Sequence, residues 1–510
     1  MRDSIQYESS MEYEPNPITD KSKEGNKNVR VLLAMGKDAA QVYRIKRPPL
    51  GIAYLAAGLL QRGFNVKVYD MRVKNKETYK QVIDTFKPDY MGVYLSIPLN
   101  PSMFDDIRYA KEKGAIIITG GSEITLIGEK FLPKGELDFT IGGEADLIFA
   151  DFIEKHHNDP NGNSWKSCPG LGFKDTNGIH FNKNGIVKNL DDIPFPAWDQ
   201  FNLKAYNSNV SKIKFPVMSS RSCPFRCTYC VIPAISLEYR ARSAKNVVDE
   251  LEIVHKKYGA KQFQFMDDNF PVIRQRVYDV CDDIIKRGLK IEWVLGQGFS
   301  ANYGDGEMFK KMRGAGCTMI GMGIESVDPE VLKAIQKPAT VEMVRKTVLL
   351  AREAGIKIKG FFIIGLPKST FKSEMKSLEF IKETGVDIPR FSHIVVMPKT
   401  KMYEWTKQSV ESKDVKLLRD LDHSHMEVTT SLGVTAMSED TDDFLKPTFE
   451  TKEFPAEERM KAYEICSSEA DKWILTNMFG KYLGYVAWKL SRNPKIKSLG
   501  ERMLDMATSY

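Results

Sequence analysis

The stretch FPVMSSRSCPFRCTYCVIP, residues 215–233, joins a short apolar strand to a loop that carries three thiols. These cysteines, spaced C-x3-C-x2-C with no fourth cysteine nearby, are Cys223, Cys227 and Cys230. Structural zinc sites normally use four ligands, whereas a 4Fe–4S cluster held by three thiolates keeps one iron open. The spacing therefore favours a 4Fe–4S cluster whose open iron binds an amine and a carboxylate, the two groups that S-adenosylmethionine offers.

Two other interpretations of the cysteine loop stay open. A structural zinc ion would need a distant fourth ligand, such as Cys281 or Cys317. The three thiols could also bind no metal. The zinc interpretation leads to a non-catalytic protein that binds a nucleotide-like ligand.

Six apolar segments with room for a helix between neighbours follow one another between residues 205 and 405. Their composition predicts strands at 215–220, 262–268, 291–298, 318–326, 358–367 and 391–398. This order predicts a partial (β/α)6 barrel of the TIM type, in which sites lie at the C-terminal ends of the strands. Because the cysteine loop follows the first strand, we expect it at the catalytic face.

Residues 28–155 alternate short apolar runs with amphipathic segments. That order predicts an α/β domain with a doubly wound, Rossmann-like parallel sheet, which binds ligands at the carboxyl ends of its strands. The residues at these ends, where glycines would let the backbone approach a bulky ligand, are Asp70, Ser96, Gly120, Gly121, Gly143 and Glu144. The glycines are equally compatible with tight turns that bind nothing.

The remaining segments complete the predicted organisation. Residues 1–27 are polar and are expected to form a disordered tail. Residues 156–204 are predicted to be a linker with a small hairpin on an Asn-Gly turn. The barrel would then occupy 205–405 and a helical C-terminal domain 406–510.

Composition excludes several classes of protein. The chain has 510 residues, a net charge of +7 and seven cysteines. This charge is too small for a typical nucleic-acid binder, and an odd, sparse cysteine count argues against a disulfide framework. We see no secretory leader and no apolar run of the ~18–20 residues that a membrane span needs. We therefore expect a globular protein of the reducing cytoplasm, where free thiols and iron–sulfur clusters persist.

The segment CPFRCTYC, with Tyr229 before the last cysteine, resembles the radical S-adenosylmethionine superfamily motif C-x3-C-x-aromatic-C. The resemblance implies a 4Fe–4S cluster that cleaves S-adenosylmethionine, with the three cysteines as its metal ligands. It also implies, on a looser match, contacts to this cofactor from Tyr229, Asp267, Asp268, Gln297, Glu325, Ser326 and Gly365. The acidic and hydroxyl side chains in this set could instead cap the helices that follow them.

The N-terminal region resembles the cobalamin-binding domain that is fused to many radical S-adenosylmethionine enzymes. The similar segments are RPPLGIAYLAAGLLQRGFNVKVYD (47–70), ITGGSE (118–123), FTIGGEADLIF (139–149) and LDDIPFPAWD (190–199). The likeness runs from about residue 29 to 405 and implies cobalamin as a cofactor. The six residues DMRVKN, 70–75, lack the histidine with which D-x-H-x-x-G cobalamin domains ligate cobalt. A domain that no longer binds cobalamin therefore stays an alternative.

The resembled class includes carbon and phosphorus methyltransferases and the anaerobic magnesium-protoporphyrin ester cyclase. It implies that a 5′-deoxyadenosyl radical takes hydrogen from an unactivated carbon, which then receives a methyl group from methylcobalamin. The alternative is a radical cyclase or carbon–carbon bond-forming enzyme, on a lipid or tetrapyrrole, without methyl transfer. The expected partners are a small-molecule or lipid substrate and a one-electron reductant such as a flavodoxin or ferredoxin, with no nucleic acid.

Two further features have two interpretations each. Segment 471–497 is aromatic and has six Lys or Arg residues against one Asp. It could be a peripheral membrane helix or a helix pair that packs on the barrel. His393, on the sixth predicted strand, could touch substrate in the barrel lumen or be a core histidine.

Overall fold

The computed structural model of the chain describes residues 11–13, 18–36, 47–95, 102–132, 135–236, 238–419, 421, 447–492 and 503–504. The chain divides into two compact units, Met1–Ser222 with Val231–Lys261 and Cys223–Cys230 with Gln262–Tyr510. This division differs from the barrel boundary that we predicted at residue 205, because 205–222 and 231–261 pack with the first unit.

The first unit has an α/β fold built on one large sheet. Its strands before residue 200 are β1 (Met11–Tyr13), β2 (Arg30–Met35), β3 (Asn65–Asp70), β4 (Tyr90–Tyr94), β5 (Ile116–Gly120), β6 (Phe139–Ile141), β7 (Leu171–Asp175), β8 (Gly178–Phe181) and β9 (Gly185–Val187). Among the described residues, seven of them form one sheet in the order β3-β2-β4-β5-β6-β7-β8, and β1 pairs with β9. Strands β2 to β6 pair in parallel. The predicted doubly wound sheet is confirmed, with its switch point between β2 and β4.

Helices alternate with these strands as predicted, and further helices follow later in the unit. They are α1 (Asp20–Asn26), α2 (Leu50–Gln61), α3 (Tyr79–Phe86), α4 (Ser102–Glu112), α5 (Ser122–Ile127), α6 (Ile148–Asn158), α7 (Leu203–Tyr206), α8 (Ile232–Ile235) and α9 (Ala244–Tyr258). Helix α2 is apolar and mostly buried, and it ends just before Gly63, whose φ of 86° favours glycine.

Helix α1 lies inside the segment that we predicted to be a disordered tail. Thr19 and Ser22 form a reciprocal capping box at its start. At its end the buried Asn26 amide donates to the carbonyl oxygen of Arg62 at 3.0 Å. Because local capping and this long-range hydrogen bond order the stretch, the prediction of disorder was wrong for Asp20–Asn26.

The hairpin that we placed in a linker is part of the main sheet. β7 and β8 pair antiparallel, and β7 also pairs antiparallel with β6. The turn follows its sequence signature, since Gly178 has a φ of 124° and the Asp175 carboxylate accepts from the Asn177 N–H. The ring centroids of Trp165 and Phe173 lie 5.4 Å apart, and this aromatic packing fixes the hairpin on the sheet.

The first unit ends in three short strands near the cysteine loop. They are β10 (Lys214–Val217), β11 (Ser220–Arg221) and β12 (Arg240–Ala241). β11 and β12 pair antiparallel, with Arg221 opposite Arg240. The chain that carries the three cysteines leaves this ladder after β11 and returns to it before β12.

The second unit contains the rest of the predicted barrel. Its strands are β13 (Gln262–Phe265), β14 (Glu292–Phe299), β15 (Cys317–Glu325), β16 (Lys357–Ile364) and β17 (Ile388–His393). They pair in parallel in chain order. The helices between and after them are α10 (Arg274–Lys286), α11 (Gly306–Gly314), α12 (Pro329–Ala334), α13 (Val341–Glu353), α14 (Phe371–Thr384) and α15 (Lys401–Glu411). With β10, a strand forms at each of the six predicted positions, which confirms the fold class.

The sixth of these strands lies earlier in the chain than we predicted. The sequence favoured 391–398, whereas β17 ends at His393. The apolar residues after it, Ile394 and Val396, are buried in a cluster with Met402 and Phe449 instead. The apolar residues after His393 therefore belong to the hydrophobic core but not to a strand.

The described C-terminal part adds a small ladder and two helices. They are β18 (Val415–Leu417), β19 (Phe449–Thr451), α16 (Ala456–Phe479) and α17 (Lys481–Ser491). Ile474, Leu475 and Ala487 pack in one buried cluster with Val294 and Met319 of the sheet. Within the described ranges, no helix is long and apolar enough to cross a membrane.

Candidate active site

The cysteine loop is fixed through its backbone. The N–H of Thr228 donates to the carbonyl of Ile335 at 2.9 Å, and the N–H of Met402 donates to the carbonyl of Thr228 at 2.8 Å. The loop also closes on itself, because the N–H of Cys230 donates to the carbonyl of Cys227 at 3.1 Å. All three cysteines are reduced and half-buried. The middle of the loop is thus held between the C-terminal end of α12 and the start of α15.

Asn269 provides the test of whether a metal cluster fits these thiols. Its amide Nδ2 donates to the Sγ atom of Cys223 at 3.4 Å. Its Oδ1 atom is buried and has no hydrogen-bond partner among the described residues. A buried carboxamide oxygen without a partner calls for a donor that the protein does not supply. The amino group of a ligand on the open iron fits this requirement, so these residues fit a cluster with S-adenosylmethionine.

Two of the three thiols have a raised pKa. Burial raises the pKa of Cys223 and of Cys227 above the usual value for a thiol. Iron would deprotonate them on binding, because a coordinated thiol loses its proton. Uptake of iron by the loop is therefore coupled to the release of thiol protons.

A buried ion pair lies beside the loop. The Nζ atom of Lys337 donates to Oε1 of Glu325 at 3.1 Å, and the two side chains are 13% and 9% exposed. Burial lowers the pKa of Lys337, but the Glu325 carboxylate and the Cys227 thiol outweigh burial and raise it. Burial raises the pKa of Tyr229, and the nearby Glu325 carboxylate raises it further. A Cβ atom on Gly323 would lie 2.1 Å from Oε1 of Glu325, so a larger residue there would displace this carboxylate.

The other residues that we predicted to contact S-adenosylmethionine also lie at strand ends, with different partners. Asp267 is buried and pairs with Arg276 at 3.9 Å, so it does not cap a helix. Gln297 is half-buried in an irregular part of β14 between Leu295 and Phe299. Asp268 follows Asp267 and is half-buried.

Two further predicted residues are engaged by the protein itself. The Oγ atom of Ser326 accepts from the N–H of Asp328 at 3.2 Å, so its hydroxyl orders the turn before α12. Gly365 has a φ of 85°, and its carbonyl accepts from Nη1 of Arg459 at 3.0 Å. The N-cap of α12 is Asp328, whose carboxylate accepts from the N–H of Glu330 at 3.0 Å, and Ser326 orders the turn that presents it.

Cys281 and Cys317 do not complete a zinc site with the loop. Both are buried, and Cys317 is the first residue of β15, whose last residue is Glu325 beside the loop. Eight residues of strand place Cys317 roughly 26 Å from that end. In the part of the chain that the structure describes, no group of three or more His, Cys, Asp or Glu side chains could hold a single metal ion.

The carboxyl edge of the first sheet is the predicted cobalamin site. Gly120 and Gly121 lie there, and Gly121 has a φ of 118° with no space for a Cβ atom beside the carbonyl of Leu95. The buried hydroxyl of Thr119 at the same edge has no partner among the described residues. A polar ligand that approaches the backbone of β5 fits both observations. Ser96, also predicted here, lies outside the described residues.

The two predicted cobalamin carboxylates are already paired within the protein. Asp70 accepts from the guanidinium of Arg72 and from the hydroxyl of Tyr206, the latter at 2.6 Å. Glu144 accepts from the N–H of Val187 at 2.7 Å and pairs with Arg240 at 2.5 Å. Gly143 has a φ of 78° and lies against the carbonyl oxygen of Gly185. Asp70, Gly143 and Glu144 therefore all have partners within the protein, and these contacts account for their positions without a ligand.

His393 packs against the C-terminal helices. Its ring centroid lies 4.8 Å from that of Tyr463 in α16, and burial lowers its pKa to about 3. Neither ring nitrogen has a partner in the described ranges. His393 is therefore a buried, neutral histidine.

Sequence reasoning missed Lys337. It follows Glu325 by twelve positions, and the turn of α12 between them brings it back beside the loop. Its sequence neighbours carry no sign of this role. The one indication was the glycine-rich end of β15, where Gly323 leaves room for a side-chain pair.

Comparison with known families agrees with this geometry. Residues 217–400 match the Radical SAM superfamily, and residues 36–153 match the B12 binding domain. The chain therefore contains a radical S-adenosylmethionine domain and, on its N-terminal side, a cobalamin-binding domain. The radical S-adenosylmethionine domain implies a 4Fe–4S cluster and S-adenosylmethionine, and the second domain implies cobalamin.

Individual relatives give the same result. An uncharacterized methyltransferase of Pyrococcus horikoshii is 28% identical over 396 residues, which cover 74% of this chain and 83% of the relative. The anaerobic magnesium-protoporphyrin IX monomethyl ester cyclase of Cereibacter sphaeroides is 23% identical, over 72% of this chain and 61% of its own length. Among solved structures, the cobalamin-dependent S-adenosylmethionine radical enzyme OxsB with aqua-cobalamin bound superposes with a TM-score of 0.70 and 18% identity. That superposition covers 95% of this chain and 72% of OxsB, and it shows a shared fold.

Proposed function

We propose that the protein is a cobalamin-dependent radical S-adenosylmethionine methyltransferase that acts on an unactivated carbon. The observation that carries the proposal is the fixed loop of three half-buried thiols with the unpartnered Oδ1 of Asn269 beside Cys223. The cobalamin-binding domain on the same chain supports methyl transfer, as does the methyltransferase relative.

The proposal assigns tasks to the chain's own residues. When bound, the cluster and S-adenosylmethionine supply a radical, and cobalamin supplies a methyl group. Cys223, Cys227 and Cys230 hold the cluster. The proposed contacts to S-adenosylmethionine are Tyr229, Asp267, Asp268, Asn269, Gln297, Glu325, Ser326 and Gly365, with Lys337 holding Glu325 in place. For cobalamin we propose the backbone at Gly120 and Gly121.

Transfer of a labelled methyl group tests the proposal. Protein reconstituted without oxygen with iron, sulfide and hydroxocobalamin would be given S-adenosylmethionine with a deuterated methyl group and a strong reductant. We expect about four irons and one cobalt per chain, 5′-deoxyadenosine among the products, and label on cobalamin. Cleavage of S-adenosylmethionine without label on cobalamin would contradict methyl transfer.

The cyclase relative favours a second function. A radical cyclase would cleave S-adenosylmethionine and form a bond within its substrate without moving a methyl group. The labelling experiment separates the two functions, because only the methyltransferase incorporates deuterium. Zinc in place of iron would contradict both functions.

The proposed partners are a small-molecule substrate and a one-electron reductant such as a flavodoxin or ferredoxin. Seven free cysteines agree with a reducing cytoplasm as the place of action. A flavodoxin that supports cleavage of S-adenosylmethionine in place of dithionite would establish the second partner class.

Helix α17 is the candidate for contact with a lipid surface. Within it Tyr482 is 79% exposed and Leu483 is 63% exposed, although Trp488 donates inward to the carbonyl of Ser468 at 3.1 Å. Residues 472–492 contain no acidic residue. An exposed basic and aromatic face is typical of helices that lie on anionic membranes.

Co-sedimentation with vesicles tests this contact. We expect binding to vesicles that contain phosphatidylglycerol, loss of binding in Tyr482→Asp/Leu483→Asp, and weaker binding at high salt. Lys245→Asp, on an exposed face of α9, is the control and should bind as the unchanged protein does. Equal sedimentation with and without vesicles would leave α17 as a packing helix only.

A further inference from the structure

The cysteine loop is attached to the protein through a narrow neck, which we define as Arg221, Ser222, Ser236 and Arg240. The hydroxyl of Ser222 donates to the carbonyl of Ser236 at 2.8 Å. Beside this bond, Arg221 and Arg240 face each other on the β11–β12 ladder. All four residues lie in the first unit. Both ends of the loop are therefore held at one place.

Two arginines directly opposite each other on a ladder repel, and here both are largely buried. The side chains of Arg221 and Arg240 are 18% and 6% exposed. Like charges in this arrangement destabilise a strand pair unless anions compensate them. Carboxylates from another part of the unit lie against the neck and compensate this repulsion.

Those carboxylates are Glu144 and Asp146. The Asp146 carboxylate accepts hydrogen bonds from both Nη atoms of Arg221, at 2.7 and 2.9 Å. The Glu144 carboxylate accepts from both Nη atoms of Arg240, at 2.8 and 2.5 Å. Glu144 also lies 3.3 Å from Nη1 of Arg221, so it bridges the two cations. Each carboxylate is 9% exposed. Bidentate pairs of this kind fix orientation as well as distance. We call these four residues, Arg221, Arg240, Glu144 and Asp146, the clasp.

The carboxylates come from the cobalamin-binding domain. They follow Gly142 and Gly143 directly after β6, inside the region that matches the B12 binding domain, whereas both arginines lie inside the radical S-adenosylmethionine match. The turn that presents them is itself fixed, since Gly143 N–H donates to Oγ1 of Thr125 at 2.9 Å and Glu144 N–H donates to the carbonyl of Gly185 at 3.2 Å.

Ser222 shows that the neck is held in a defined conformation. Its φ of 70° lies in the left-handed region, which a serine seldom adopts. Such a conformation persists only where the surroundings determine it, and Ser222 is buried next to the clasp. The next residue in the chain is Cys223, so a change at the neck moves the first thiol.

We propose that Glu144 and Asp146 are positioning residues for the cysteine loop: through Arg221 and Arg240 they let the cobalamin-binding domain set the position of Cys223. The proposal gives Glu144 this role in place of the cobalamin contact that the sequence suggested. It does not depend on which group the enzyme transfers, so its failure would be distinguishable from failure of the proposed methyl transfer.

The test uses the full chain reconstituted without oxygen, with Glu144→Gln and Asp146→Asn. Both changes keep side-chain shape and remove the charge. We expect the electron paramagnetic resonance spectrum of the reduced cluster, with and without S-adenosylmethionine, to broaden or shift. Cleavage of S-adenosylmethionine should fall by about tenfold to a hundredfold, since small misplacement of reacting groups has effects of this size. The dissociation constant for hydroxocobalamin should change less than about twofold, as for a group that does not touch the ligand.

The matched control is Glu154→Gln, which breaks another buried ion pair of the same unit, that between Glu154 and Arg62. It should lower thermal stability as the clasp variants do and leave the cluster spectrum unchanged. If a clasp variant does not fold, Arg221→Lys replaces it, because lysine keeps the charge and loses the bidentate geometry. A large loss of cobalamin affinity with an unchanged cluster spectrum would overturn the proposal, and so would effects equal to those of Glu154→Gln.

Discussion

Replacement of Cys227 by serine is expected to abolish cleavage of S-adenosylmethionine. The loss should be about a thousandfold or more, or about 4 kcal/mol of barrier. Serine is a poor substitute because thiolates are the ligands that hold such clusters. The loop cannot move to compensate, since the backbone on both sides of Thr228 is hydrogen-bonded to Ile335 and Met402. Iron content and 5′-deoxyadenosine formation after anaerobic reconstitution measure the effect.

Cys281→Ala is the control for this experiment. Cys281 is a buried thiol in α10, outside the cysteine loop. Iron content and cleavage should stay close to those of the unchanged protein. Iron that persists in Cys227→Ser but disappears in Cys281→Ala would reverse the assignment of the ligands.

Replacement of Lys337 by methionine is expected to lower the free energy of unfolding by about 3–5 kcal/mol. The change leaves the Glu325 carboxylate buried without its cation, and both side chains are largely withdrawn from water. Because Ile335, two residues earlier, holds Thr228 of the cysteine loop, iron retention should fall as well. Urea unfolding under nitrogen, with iron analysis of the same samples, gives both quantities.

A second variant separates stability from ligand binding at this pair. Lys337→Met/Glu325→Gln removes both charges and should recover most of the lost stability, while affinity for S-adenosylmethionine stays low. Lys416→Met serves as the surface control. It breaks a pair with Glu450 in which the lysine is 75% exposed, so its effect should stay below about 1 kcal/mol. Equal losses in Lys337→Met and Lys416→Met would refute the buried-pair interpretation.

Local sequence patterns were enough to predict most of the fold. A strand was predicted at 291–298 and β14 runs over Glu292–Phe299, because a short apolar run bounded by polar residues is typical of a buried strand. The cysteine loop was equally readable, since its three thiols lie within eight residues of sequence. The sixth barrel strand was misplaced because buried loop and buried strand share the same apolar composition.

The partners of charged side chains could not be predicted from the sequence. Glu144 resembled a ligand contact at a strand end, but its main partner, Arg240, lies 96 positions away. Lys337 meets Glu325 only after the chain has turned through α12. Pairings of this kind depend on tertiary structure, and a sequence taken alone does not contain a pattern for them.

The last strand of the barrel sheet, β17, is covered by helix α16, which is synthesised much later than the strand. The indole N–H of Trp473 in α16 donates to the carbonyl of Val386 at 2.8 Å, and the two residues are 87 positions apart. At synthesis rates of about 5–20 residues per second, that length takes roughly 4–17 s to make. During this interval β17, the outer strand of its sheet, lacks the helix that later covers it, and an exposed strand edge is a template for association with other chains. Chaperones would therefore protect this strand most effectively while the chain is still being translated.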